Sequence, residues 1–96
     1  MPLLYRPEAA AEVEQAHDWY ERQRTGMGDE FLAELRRGER MVQEAPLAYR
    51  VIHRDTRRIL LHRFPYQLLY RLVADTVVVV ACFHGRRSPM RWMTRR

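Results

Sequence analysis

The sequence predicts an α+β fold in which an N-terminal helical hairpin packs on a twisted, mainly antiparallel β-sheet. In the first half of the chain, apolar residues recur at helical spacing in two stretches, which a glycine-containing segment separates. From residue 49 onward the spacing changes to the alternation that is typical of strands. The chain has 96 residues, which suffice for one hydrophobic core, so we expect a single domain over residues 1–96.

Residues 2–5 are expected to form a short edge strand, and the first helix is predicted at about residues 8–24. Pro7 suits the start of this helix, because the N–H that proline lacks would have no intrahelical partner there. Glycines within residues 25–28 are expected to break the helix. Its apolar stripe consists of Ala9, Val13, Ala16 and Tyr20.

A second helix follows, with Asp29 and Glu30 in its first turn and Pro46 at its end, and the two helices are expected to pair antiparallel. Its apolar stripe consists of Phe31, Leu35, Gly38, Val42 and Ala45. Gly38 costs about 1 kcal/mol relative to alanine, so we expect a close contact with a neighbouring element there. The aromatic side chains expected in the core are Trp19, Tyr20 and Phe31.

Four strands are predicted in the second half, at residues 49–53, 58–64, 66–73 and 76–84. If Ala74-Asp75 is a two-residue turn, the last two strands pair Val73 with Thr76, Tyr70 with Val79 and Pro65 with His84. His84 then lies beside Arg63 and Tyr66. The face expected to receive the helices carries Tyr66, Leu68, Tyr70 and Leu72.

The opposite face of these two strands carries Leu69, Arg71, Val78, Val80, Cys82 and His84. It is partly apolar, and no element of the chain obviously covers it. Uncovered apolar strand surface usually marks a binding site. We therefore expect a partner to dock on this face.

The charge distribution points to the second half of the chain as the partner-binding part. Every one of the 17 basic residues is arginine. Residues 1–45 carry six arginines and ten acidic residues, whereas residues 46–96 carry eleven arginines and two acidic residues. The net charges are therefore −4 and +9, and an arginine-rich surface suits an anionic partner, since the guanidinium fork binds carboxylates and phosphates.

Several classes of protein do not fit the sequence. No apolar run is long enough to span a membrane, and the N-terminus lacks the pattern of a signal peptide, so we expect a cytoplasmic protein without membrane partners. The single cysteine, Cys82, is expected to be a small buried apolar residue. The four histidines show no metal-ligand spacing, so neither a metal site nor a cofactor is expected.

The order of several short motifs resembles the RelE/ParE superfamily of type II toxin–antitoxin toxins, in the branch called plasmid stabilisation proteins. The motifs are Trp19-Tyr20, Gly26-Met27-Gly28 and Phe31, then Phe64-Pro65-Tyr66 and Tyr70, and finally His84, Arg87, Pro89, Trp92 and Arg95. The resemblance covers nearly the whole chain. It implies one RelE/ParE-like toxin domain that inhibits growth and is neutralised by a cognate antitoxin, whose flexible segment wraps the toxin.

The superfamily contains two kinds of toxin. RelE-like members resemble ribonucleases that enter the ribosomal A site and cut mRNA, whereas ParE-like members poison DNA gyrase without known catalysis of their own. The lysine-rich catalytic set of some members has no counterpart in a chain without lysine, which narrowly favours the gyrase-directed branch. A third hypothesis is a non-toxic, basic nucleic-acid-binding module, although no nucleic-acid-binding motif is apparent.

Two sets of site residues follow from these hypotheses. A metal-independent ribonuclease needs an acid, a base and cations around the phosphate, and the candidates are Arg63, Tyr66, His84, Arg86 and Arg87. The alternative interpretation of His84 is a strand-end histidine hydrogen-bonded to the backbone, and that of Arg86 and Arg87 is a solvated loop. The residues expected to bind an acidic amphipathic segment of the antitoxin are Leu69, Arg71, Val78 and Val80. Trp92 could cover the core or stack on a base.

Overall fold

Two helices pack on one face of a five-stranded sheet, in a computed structural model that describes residues 1–86 and residue 95. In chain order the elements are β1 (Leu3–Tyr5), α1 (Pro7–Gln23), α2 (Met27–Glu44), β2 (Arg50–His53), β3 (Thr56–Leu60), β4 (Tyr66–Val73) and β5 (Thr76–His84). The strands lie in the order β1-β5-β4-β3-β2, with β1 parallel to β5 and the other pairs antiparallel. The predicted α+β fold is confirmed, as is the edge position of the N-terminal strand.

The connection between the helices is shorter than the sequence predicts. α2 begins at Met27, so the expected loop over residues 25–28 is wrong in its second half. The N–H groups of Gly26 and Gly28 donate to the carboxylate of Glu21 on α1, at 2.9 and 3.0 Å. This carboxylate pairs N–H groups that the start of a helix leaves without intrahelical partners, so α2 can begin directly after the turn.

Two glycines of α2 mark close contacts. A Cβ atom on Gly28 would lie 2.7 Å from the ring of His17, and a Cβ atom on Gly38 would lie 3.1 Å from Leu61. The predicted close contact at Gly38 is therefore confirmed. The fully buried apolar residues of α2 are Phe31, Leu35 and Val42. No helix in the described part of the chain is long and apolar enough to cross a membrane.

The last two strands have the predicted bounds, 66–73 and 76–84, whereas β3 does not. β3 spans residues 56–60 rather than 58–64, because the preceding turn occupies only Arg54 and Asp55. After β3 the chain leaves the sheet, and Leu61 and Phe64 are buried in the core. Pro65 follows them and cannot donate to a sheet ladder.

A β-bulge in β5 changes the predicted register. Val73 pairs with Thr76 as predicted, and Tyr70 pairs with Val79. The register then shifts, so that Leu69 pairs with Ala81 and Tyr66 with His84. The predicted pairing of Pro65 with His84 is wrong, because a bulge places an extra residue, here Val80, on one strand.

The bulge also exchanges the faces of the last part of β5. Beyond the bulge, Cys82 packs in the cluster between sheet and helices, and His84 shares that face. Ala81 and Phe83 point to the opposite side, which we call the far face. The prediction that Cys82 and His84 share a face with Leu69 is therefore wrong, since one inserted residue reverses every later side chain.

The far face is not open. Leu69 and Val80 are 0% exposed and Val78 is 8% exposed. Ile52 of β2 packs against this cluster although β3 separates β2 from β4, as the twist of a sheet allows. The expectation of an uncovered apolar face is therefore wrong for Leu69, Val78 and Val80.

Candidate functional site

A groove of about 780 Å³ lies between α1 and the ends of β4 and β5. Its walls include Trp19 and Tyr20 from α1, Pro65 and Tyr66 at the start of β4, and His84 at the end of β5. His84 reaches the groove because the bulge turns the end of β5 toward the helices. The site thus depends on an irregularity of the sheet.

Aromatic rings lie in contact with one another along this groove. The ring centroids of Trp19 and Tyr20 lie 5.1 Å apart, those of Tyr20 and Tyr66 lie 6.0 Å apart, and those of Tyr66 and His84 lie 5.6 Å apart. Trp19 is 50% exposed, so its predicted place in the core is wrong. Exposed aromatic surface in a concave site favours binding, because a rigid ring buries much area at small cost in conformational entropy.

His84 is held by the backbone that follows it. The N–H of Arg86 donates to Nδ1 of His84 at 3.1 Å. Nδ1 must therefore be unprotonated, and the neutral ring carries its proton on Nε2. In this arrangement Nε2 can donate a hydrogen bond to an anion, whereas Nδ1 is already occupied by the bond from Arg86. The interpretation of His84 as a strand-end histidine bonded to backbone agrees with this geometry.

Arg63 is directed to the helices and does not line the groove. Its Nη2 lies 2.7 Å from Oε1 of Glu30, and Arg24 bonds the other oxygen of that carboxylate at 3.0 Å. Hydrogen bonds from Arg63 and then from Arg24 lower the pKa of Glu30, which therefore stays ionised. The guanidinium of Arg63 also lies 5.3 Å from the ring centre of Phe64. Arg63 thus links the segment between β3 and β4 to α2.

The structure thus brings together three of the five candidate catalytic residues. Tyr66, His84 and Arg86 line one groove, whereas Arg63 does not. Arg22 of α1 also lines it. Arg87 lies outside the described residues, as does Trp92.

Arg71, the polar residue among the four proposed antitoxin contacts, forms an ion pair within the chain. Nε and Nη2 of Arg71 bond Oδ2 of Asp55, at 3.2 and 3.1 Å. Its three apolar companions on the far face are buried, as described above. An antitoxin segment could therefore reach them only after the far face had opened.

Polar side chains cover the edge of β5 in the part of the strand, from Val80 onward, that does not pair with β1. Cys82 donates its backbone N–H to Oε1 of Glu12 at 3.0 Å, and Arg95 donates to the carbonyl oxygen of Val80 at 3.1 Å. Arg95 also donates two hydrogen bonds to the carboxylate of Glu12, each at 3.0 Å, and this interaction raises the pKa of Arg95. This ion pair occupies the bulge, where β1 no longer supplies ladder partners.

The thiol in the groove is not a nucleophile. Cys82 is buried, as predicted, and burial raises its pKa to about 12. A thiol with this pKa remains protonated near neutral pH, and the thiolate is the reactive form. Within residues 1–86 and 95, no group of three or more histidine, cysteine, aspartate or glutamate side chains could hold a metal ion.

Comparison with known proteins identifies the family. The model of the ParE toxin of type II toxin–antitoxin systems, parDE, matches residues 3–89, whereas no curated protein matches the sequence. The fold is similar to the chromosomal ParDE system from P. aeruginosa, with a TM-score of 0.65 and 16% identity over 88% of this chain and 95% of that one. It is also similar to the isolated E. coli RelE toxin, with a TM-score of 0.67 and 20% identity over 94% of this chain and 89% of that one. The chain belongs to the ParE toxin family of type II toxin–antitoxin systems.

Proposed function

We propose that this toxin inhibits DNA gyrase by binding, acts in the cytoplasm and is neutralised by a cognate antitoxin. The proposal rests on one observation. Arg63 and His84, the two residues on which ribonuclease chemistry would depend, do not converge on one site. Arg63 is held by Glu30 outside the groove, and one of the two ring nitrogens of His84 is already occupied by a backbone hydrogen bond. The family match also favours a toxin over a non-toxic nucleic-acid-binding module.

The groove supports binding better than catalysis. Burial raises the pKa of Tyr20, so this hydroxyl is not a base near neutral pH. Trp19 offers an exposed ring, and Arg22 and Arg86 add positive charge to the lining of the same groove. An aromatic residue with flanking arginines has the composition of the residues that dominate protein interfaces. We assign the gyrase-contacting surface to this groove.

Antitoxin binding remains assigned to Leu69, Arg71, Val78 and Val80, with one added requirement. Because the three apolar residues are buried, the antitoxin must open the far face before its own apolar side chains can replace the present contacts. Hydrogen exchange in the complex should then show altered protection on β4 and β5. Protection confined to the exposed face of α1 would contradict this assignment.

A gyrase reaction and a ribosome reaction run in parallel test the proposed target. We expect the wild-type toxin to cause cleaved DNA to accumulate when gyrase and supercoiled DNA are present, and to leave ribosome-bound mRNA intact. Intact DNA together with cut mRNA would contradict the proposal. Addition of the antitoxin should abolish the effect on gyrase.

Ribosome-dependent mRNA cleavage is the second candidate function, and it is favoured by the convergence of Tyr66, His84 and Arg86. In that mechanism Nε2 of His84 would donate to the phosphate or the leaving oxygen. Replacing His84 by alanine would then slow cleavage by about 100-fold or more, the usual scale for such a group.

A further inference from the structure

A pair of arginines faces each other across the edge of the sheet that is remote from α1. Arg50 on β2 is the direct partner of Arg58 on β3. Directly opposed residues of antiparallel strands share a face, with Cβ atoms about 4.5–5.5 Å apart. Arg58 in turn pairs with Leu69, which belongs to the far-face cluster. Both arginine side chains therefore belong to the far face, at its edge.

The positive charge of this pair is not balanced within the chain. In the part of the chain that the structure describes, neither Arg50 nor Arg58 forms an ion pair or a side-chain hydrogen bond. Residues 87–96 contain no acidic residue. Like charges directly opposite each other in a sheet destabilise it. The direct pairing of Arg50 with Arg58 therefore weakens the free fold, and binding of an external anion by both side chains would explain why the pair is present.

The surroundings of the pair offer space for a ligand. A shallow groove of about 350 Å³ is lined by Tyr49, Arg50, Arg58, Leu60 and His62, among others. Leu60 is 59% exposed, and His62 is exposed as well. This groove shares no lining residue with the one between α1 and the ends of β4 and β5. The two surfaces are thus separate sites.

We propose that Arg50 and Arg58 together bind the phosphate backbone of duplex DNA. Two guanidinium forks on directly opposed residues can each bind a phosphate, and DNA supplies a phosphate at every nucleotide step, whereas an acidic peptide would need two carboxylates at the right spacing. The choice of duplex DNA over RNA rests on the proposed gyrase-directed function, because gyrase holds duplex DNA. The toxin would then contact both the enzyme, through the groove at α1, and the DNA, through the arginine pair.

Binding of a short labelled DNA duplex, measured over a range of salt concentrations, tests the proposal. We compare Arg50→Gln/Arg58→Gln with Arg6→Gln/Arg40→Gln, a control that removes the same charge from exposed positions at the start of α1 and on α2. The slope of log K against log salt falls by about 0.9 for each phosphate contact that is lost. We therefore expect the slope to become shallower by about 2 in the first variant and to stay unchanged in the control.

Arg50→Glu is a second variant that guards against misfolding. It gives Arg58 an opposite charge as its direct partner, so the fold should be at least as stable as the wild type in thermal unfolding, while duplex binding should be lost.

Equal losses in the paired variant and the charge-matched control would overturn the proposal, because net charge alone would then explain binding. Absence of duplex binding by the wild type at low salt would overturn it as well, and so would tighter, Arg58-dependent binding of a single-stranded RNA of the same length.

The binding assay contains no gyrase, so the two proposals can fail separately. Duplex binding that depends on Arg50 and Arg58, in a toxin that does not affect gyrase, would contradict only the proposed function. A toxin that stabilises gyrase-cleaved DNA but does not bind duplex through this pair would contradict only the phosphate site.

Discussion

Two glutamates of α1 have the same role in two different regions of the molecule. Glu21 accepts hydrogen bonds from N–H groups five and seven residues ahead, at the start of α2. Glu12 accepts one from an N–H 70 residues ahead, at the partly buried bulge of β5. The first contact is local in sequence and sets the helical hairpin, whereas the second depends on the assembled fold and sets the groove. Patterns in the local sequence can therefore predict the helical hairpin, but they cannot predict the groove.

The largest effect should come from a charge buried at the bulge. Val80 is fully buried there, so Val80→Asp leaves an unpaired carboxylate inside the protein and should lower the free energy of unfolding by at least about 3 kcal/mol. Val73→Asp, at the other end of the β4–β5 hairpin where Val73 is 43% exposed, should change it by less than about 0.5 kcal/mol. Chemical denaturation measures both, and similar midpoints would contradict the buried position of Val80.

A smaller effect is expected when the contact of Glu12 is removed. Glu12→Ala leaves the N–H of Cys82 and the guanidinium of Arg95 without this acceptor, which should cost about 1–3 kcal/mol. Glu14→Ala changes an exposed glutamate of the same helix and serves as the control. If the two variants unfolded at the same denaturant concentration, Glu12 would not hold the bulge.

The smallest effect concerns Glu21 and its dependence on pH. The N–H groups of Gly26 and Gly28 lower the pKa of Glu21 below its usual value of 4.5. A carboxyl whose pKa is lower in the folded state stabilises the fold above the unfolded pKa, and this contribution is lost as the pH falls through the folded pKa. Glu21→Gln should therefore lose less stability on acidification than the wild type. Parallel stability curves over this pH range would show that the glycine N–H groups do not depend on the carboxylate.

Much of the fold could be predicted because its signals are local. The alternation in residues 66–84 and the two-residue turn determine β4, β5 and their register as far as Val79. The bulge could not be predicted, since it accompanies contacts with side chains outside the hairpin: Glu12, which lies 70 residues from Cys82, and Arg95, which lies 15 residues from Val80. The predicted assignment of Cys82 and His84 to the far face failed for this one reason.

The candidate site could be predicted only in part, for similar reasons. Tyr66, His84 and Arg86 are brought together because they lie at neighbouring strand ends. Arg63 is drawn away by Glu30, an ion pair that no local pattern reveals. Trp19 was misplaced although a signal existed: it lies beside Tyr20 and off the apolar stripe of α1, so helical periodicity directs it away from the core.

The most direct test of the account compares Trp19→Ala with His84→Ala in the gyrase cleavage reaction. If the toxin acts by binding through the groove, loss of the exposed ring should sharply reduce the accumulation of cleaved DNA, whereas loss of the imidazole should change it little. Thermal unfolding of both variants controls for the loss of the contact between Trp19 and Tyr20. Unimpaired activity of Trp19→Ala together with loss of activity in His84→Ala would contradict the account, because the essential group would then be the titratable one.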